Sequence, residues 1–173
     1  YFKTVGTVAN AIACLEGPVL TIRRFVTEFS RRVELMDRLP LIGDLTRLLG
    51  NQNFGQKIFE TWRPVWESAL EKANLEADCP ANIQKVRKAY FLNSVDALVE
   101  NEARHAVLWP MLETWHQAVT VAEEDEDAVR DWFGFLKDLG FDENQKERLI
   151  KELDHFIDQG EHILEEYKNE YNL

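Results

Sequence analysis

The sequence predicts an all-α fold, an antiparallel bundle of about six amphipathic helices with an acidic C-terminal helical hairpin. Three observations carry this prediction. Apolar residues recur at steps of three and four along most of the chain, the period of a helix with one buried side. No strict apolar–polar alternation runs beyond about four residues, so no strand is expected. Gly and Pro number only 8 and 5 in 173 residues, too few for the many tight turns of a β-sandwich. With 45% hydrophobic residues, 10 Phe and 5 Trp, the chain can fill a core without disulfide staples.

The first helical stretch covers residues 7–39 and breaks at Gly17-Pro18. Pro18 is read there as the first residue of a new helix, where a missing N–H costs nothing. Beyond it Ile22, Phe25, Val26, Phe29, Val33 and Met36 form one stripe, with Arg23, Arg24, Arg31 and Arg32 off it. Leu39-Pro40 closes this helix, because the residue before proline avoids the α region. A short helix over 41–49 ends at Gly50, and the polar run 50–55 is the clearest loop. A third helix over 56–73 buries Phe59, Trp62, Trp66, Ala69, Leu70 and Ala73, with a kink or restart at Pro64.

The longest helix is expected to open at Pro80 and run through Ile83, Val86, Phe91, Val95, Leu98, Val99, Glu102, Ala106 and Trp109. Pro110 kinks or ends it, and a further segment reaches residue 121. The acidic run 123–127 suits the positive pole of a fifth helix, whose stripe is Val129, Trp132, Phe133 and Leu136 and whose C-terminal cap is Gly140. Asp142 and Gln145 make a capping-box pattern ahead of the last helix, with Leu149, Leu153, Phe156, Gly160, Ile163 and Tyr167 on its core face. The chain reads as one domain: a helical core over 1–122 with the hairpin 123–173 packed on it.

Charge is distributed unevenly. The net charge is −11, yet residues 1–122 hold 14 Lys/Arg against 14 Asp/Glu, while residues 123–173 hold 6 against 17. With no basic face, binding to nucleic acid or to an anionic membrane surface is not expected. No segment approaches the ~18 apolar residues of a membrane span, and the start has no signal-peptide pattern. Cys14 and Cys79 are read as buried free thiols, which favours a reducing, cytoplasmic setting.

Two polar constellations could carry chemistry. Glu102 falls inside an apolar stripe, where a carboxylate must be paired, protonated or bound to a cation. His105 follows three residues later, giving an E-x-x-H pair one turn apart. On the last helix, His155, Asp158 and His162 share one face at i, i+3, i+7, three N/O ligands of the kind a transition metal takes. Their bland readings are a buried Glu hydrogen-bonded to a neighbour and a solvated polar face. No cofactor is expected; iron, manganese or zinc are the ions these groups would take. The sequence has no Gly-rich phosphate loop, C-x-x-C, H-E-x-x-H or G-x-S-x-G. It therefore points to a non-catalytic interaction module docking a basic protein partner through the acidic hairpin, or a second copy of itself. The alternatives are a metal-binding bundle or metal-dependent oxidase, and a tryptophan-lined pocket for an apolar ligand.

Overall fold

The structure, a computed structural model, describes residues 1–101, 103–122 and 125–171. Among these residues there are eight α-helices and no strand, so the protein is all-α. The chain forms two compact units: Tyr1–Leu49 with Glu143–Leu173, and Gly50–Asp142.

The first unit contains α1 (Phe2–Ala13), α2 (Phe25–Leu35), α3 (Pro40–Leu48) and α8 (Lys146–Tyr171). Leu39-Pro40 does not close the preceding helix as expected: α2 stops at Leu35, Leu39 is itself α-conformed (φ −48°, ψ −36°), and Pro40 occupies the first turn of α3, where proline is tolerated. α8 lies on α1 and α3. Its Gly160 lets it come close, since a Cβ there would stand 3.0 Å from Val8 Cγ1. Ile12, Phe29, Val33, Leu45, Leu48 and Phe156 fill this core and are essentially inaccessible to water. Burying each such side chain contributes about 1.5–3 kcal/mol.

The α1–α2 link departs from the expected restart at Pro18. A 3₁₀ turn, Cys14–Glu16, follows α1; Gly17 sits at φ +154°, and helix resumes only with a second 3₁₀ turn, Ile22–Arg24. Side chains hold this link away from helix. Asn10 Oδ1 accepts the Leu20 N–H at 2.8 Å. Arg32, expected off the apolar stripe, is only 4% exposed, because its Nη1 donates to the carbonyls of Ala13 (3.0 Å) and Pro18.

The second unit contains α4 (Gln56–Ala73), α5 (Lys85–Glu100), α6 (Leu108–Val121) and α7 (Glu126–Asp138). α4 packs on α6 and α7 and runs through Pro64 as one helix. The single long helix expected from Pro80 is instead two. α5 starts at Lys85 and stops at Glu100, a 3₁₀ turn spans Arg104–Ala106, and Pro110 lies in the first turn of α6. A first-turn proline lacks only an N–H that no helical carbonyl would have taken. Pro110 therefore begins a helix rather than ending one.

The tryptophans pack on each other. Trp115 stacks on Phe135 with centroids 4.9 Å apart, and Trp62 and Trp132 flank it at 6.0 and 5.8 Å. Trp66 Nε1 donates to Thr114 Oγ1 at 2.9 Å, and Thr114 donates in turn to the Pro110 carbonyl at 2.6 Å. α7 buries Ala128, Trp132 and Phe135, and Leu139 just after it is buried too. Phe133, assigned to this stripe from sequence, faces water at 62% exposure, and Val86 on α5 at 85%. Gly140 caps α7 as expected: at φ +88° it donates to Lys137 O, while the Phe141 N–H reaches Leu136 O.

The two helices read as one hairpin take their helical partners in different units, α7 on α6 and α4, α8 on α1 and α3.

Candidate functional site

Of the residues with candidate chemistry, Glu102 lies outside the described residues. α5 ends at Glu100 and a 3₁₀ turn spans Arg104–Ala106, so the helical register of Leu98 and Val99 does not continue to Ala106 and Trp109. His105 is exposed in the 3₁₀ turn, and its main-chain carbonyl accepts from Asn51 Nδ2 at 2.9 Å. His155, Asp158 and His162 are all exposed on the outer face of α8. His155 Nε2 meets Gln159 Nε2 at 3.0 Å, and His162 Nε2 lies 3.3 Å from Glu166 Oε1. Each histidine thus engages the side chain one turn further on. Among the described residues, no group of three or more His, Cys, Asp or Glu side chains converges as metal ligands would.

Both cysteines are free thiols, but neither is fully buried: Cys14 is exposed and Cys79 half-exposed. Partial burial, and then the charge of Asp78, push the Cys79 thiol above its ordinary range, which disfavours a nucleophilic thiolate. Trp115 borders a cavity of about 30 Å³ together with Val65, Ala69, Lys72 and Asp131, room for a water molecule.

The acidic segment divides by physical role. At the start of α7, Asp125 Oδ1 accepts the Ala128 N–H at 3.0 Å and Oδ2 pairs with Lys72 Nζ at 2.7 Å. These bonds hold the Asp125 carboxyl below its usual range, the Lys72 contact contributing most. This carboxylate caps a helix at its positive pole. The carboxylates of α8 are placed differently. From residue 152 onward α8 carries Glu152, Asp154, Asp158, Glu161, Glu165, Glu166 and Glu170 against Lys168 alone. Glu170 stands in the last turn beside Lys168, at the pole where the helix dipole is negative and an acid is unfavourable.

At that pole α8 borders a groove of about 250 Å³. Leu15 and Glu16 line it from the turn after α1, Met36 and Arg38 from the end of α2, and Ile163, Glu166, Tyr167, Glu170 and Tyr171 from α8. The Tyr167 and Tyr171 rings lie 4.4 Å apart at 32°. Arg38 is ion-paired with Glu166. Among the described residues, neither Glu16 nor Glu170 has a cationic partner. Glu170 first, then Tyr167, partial desolvation and Glu16, raise the Tyr171 phenol above its ordinary value.

Sequence reasoning missed this groove, although half of it was written locally. Glu166-Tyr167 and Glu170-Tyr171 repeat the same pair one helical turn apart. Glu16 and Arg38 join them only through the return of α8 onto the N-terminal helices.

No helix among the described residues is long and apolar enough to cross a membrane. Comparison with protein-family models, curated proteins and solved structures finds no match to this chain.

Proposed function

We propose that this chain is a non-catalytic helical interaction module that docks a basic protein partner through the acidic C-terminal half of α8. One observation carries the reading: from residue 152 onward α8 sets seven carboxylates against one lysine, and the last of them, Glu170, also opposes the negative pole of the helix. A dense negative surface of this kind steers a cationic partner. The Asp125 carboxylate is the contrasting case, an acid accounted for inside the fold by the helix it caps and by Lys72.

The test is the salt dependence of association with a cationic polypeptide. Hexalysine and hexa-arginine are suitable probes, followed by titration calorimetry and stopped-flow mixing. Binding is expected at low ionic strength, with an association rate that falls steeply as salt is added. No binding at low ionic strength, or an affinity indifferent to salt, would overturn the proposal.

A further inference from the structure

The groove at the C-terminal end of α8 narrows the chemistry of the partner, given the interaction-module reading on which this inference rests. We propose that this groove seats an arginine side chain of the partner, its stem on Met36 and Ile163 and its guanidinium against Tyr171, between Glu16 and Glu170. Three features support it.

First, the groove joins an apolar floor to carboxylates, which suits a long side chain with an aliphatic stem and a cationic head. Second, the chain's own cation there, Arg38, is committed to Glu166, whereas Glu16 and Glu170 have no cationic partner among the described residues. Two unmatched carboxylates beside one satisfied pair leave room for one more cation. Third, Tyr171 is 56% exposed and backed by the Tyr167 ring, so a ring face is presented without further rearrangement. A planar guanidinium stacks on such a ring and donates in its own plane to flanking carboxylates. An ammonium, being compact and strongly hydrated, gains less from the ring.

The experiment compares hexa-arginine with hexalysine by titration calorimetry on the full chain, on Tyr171→Ala, and on Glu16→Gln/Glu170→Gln. Hexa-arginine is expected to bind the parent more tightly than hexalysine. Tyr171→Ala should weaken hexa-arginine by about 2–5-fold, the strength of an exposed cation–π contact, and reduce the preference for arginine. The double Gln variant should weaken both peptides. Tyr171 is exposed and the Gln changes are isosteric, so a far-UV spectrum matching the parent is the check that helix is retained. Salt-sensitive binding that is blind to all three substitutions would overturn the arginine seat while leaving the module reading intact. Equal affinity for the two peptides, unchanged by Tyr171→Ala, would do the same. Absence of binding by either peptide at low salt would overturn both.

Discussion

Replacing Arg32 with methionine should unfold the first unit at markedly lower urea. The side chain is 4% exposed, and its Nη1 donates to the Ala13 carbonyl at 3.0 Å and to the Pro18 carbonyl. A hydrogen bond from a charged donor contributes about 1.5–3 kcal/mol, so the pair amounts to roughly 3–6. Methionine refills much of the space and removes a desolvated charge, which offsets part of that loss. The net cost is then about 2–4 kcal/mol. Arg31→Met is the control, because Arg31 is over half exposed and pairs with Glu28 at 3.1 Å on the same helix surface. It should change stability by less than about 0.5 kcal/mol.

Gly17→Ala probes the same contact from the other side. Gly17 sits at φ +154° and ψ −170°, and a Cβ there would lie 3.1 Å from Arg32 Cζ. Backbone strain alone costs about 1–3 kcal/mol, and the clash adds to it only while Arg32 is present. The double variant should therefore lose less than the sum of the singles, by about 0.5 kcal/mol or more. Far-UV circular dichroism is the right readout. All five tryptophans lie within Gly50–Asp142, so their fluorescence reports the other unit. An Arg32→Met midpoint within about 0.5 kcal/mol of the parent would mean the guanidinium does not hold this link.

Other perturbations read other parts of the molecule. Thr114→Val keeps the shape but leaves Trp66 Nε1 without its acceptor, and should cost about 1–3 kcal/mol in urea unfolding followed by tryptophan fluorescence; a change under about 0.5 would contradict the assigned bond. Asp125 has a folded pKa below its ordinary value, so its stabilisation is present above the ordinary carboxylate range and lost as pH falls through the depressed value. The Tm gap between the parent and Asp125→Asn should be open at neutral pH and close on acidification; a gap constant down to strong acid would contradict this. Glu170→Lys places a cation at the negative pole of α8 and should stabilise the helix by about 0.3–1 kcal/mol while weakening hexa-arginine, a trade that thermal melts and calorimetry read separately. Elemental analysis of untreated protein should find iron, manganese and zinc well below one per chain, since the described His155, Asp158 and His162 do not converge with other ligands. A stoichiometric metal would return attention to Glu102 and His105.

Local pattern sufficed wherever one helix and its ends were the question. The stripe Phe25, Val26, Phe29, Val33 is buried, Gly140 ends a helix, and Phe59, Trp66, Trp115 and Trp132 are core. Periodicity reveals which side of a helix avoids water, and proline and glycine mark where a backbone bond is missing or reversed. Both are properties of a few neighbouring residues. The pattern failed where distant groups overrule local preference. Between α1 and α2 the chain leaves the helix at Gly17 while Arg32, from α2, satisfies the carbonyls of Ala13 and Pro18. The break between α5 and α6 was hidden because Leu98 and Val99 before it and Ala106 and Trp109 after it keep helical spacing.

Tertiary packing alone decided the partners of each helix. Burial of apolar surface is non-directional, so a stripe on α8 says that something covers it, not that α1 and α3 do. The groove shows the consequence. Its Glu-Tyr repeat stands in the sequence of one helix, but Arg38 meets Glu166 across 128 positions. Charges that far apart in the chain share a field only after folding brings them within a few ångströms.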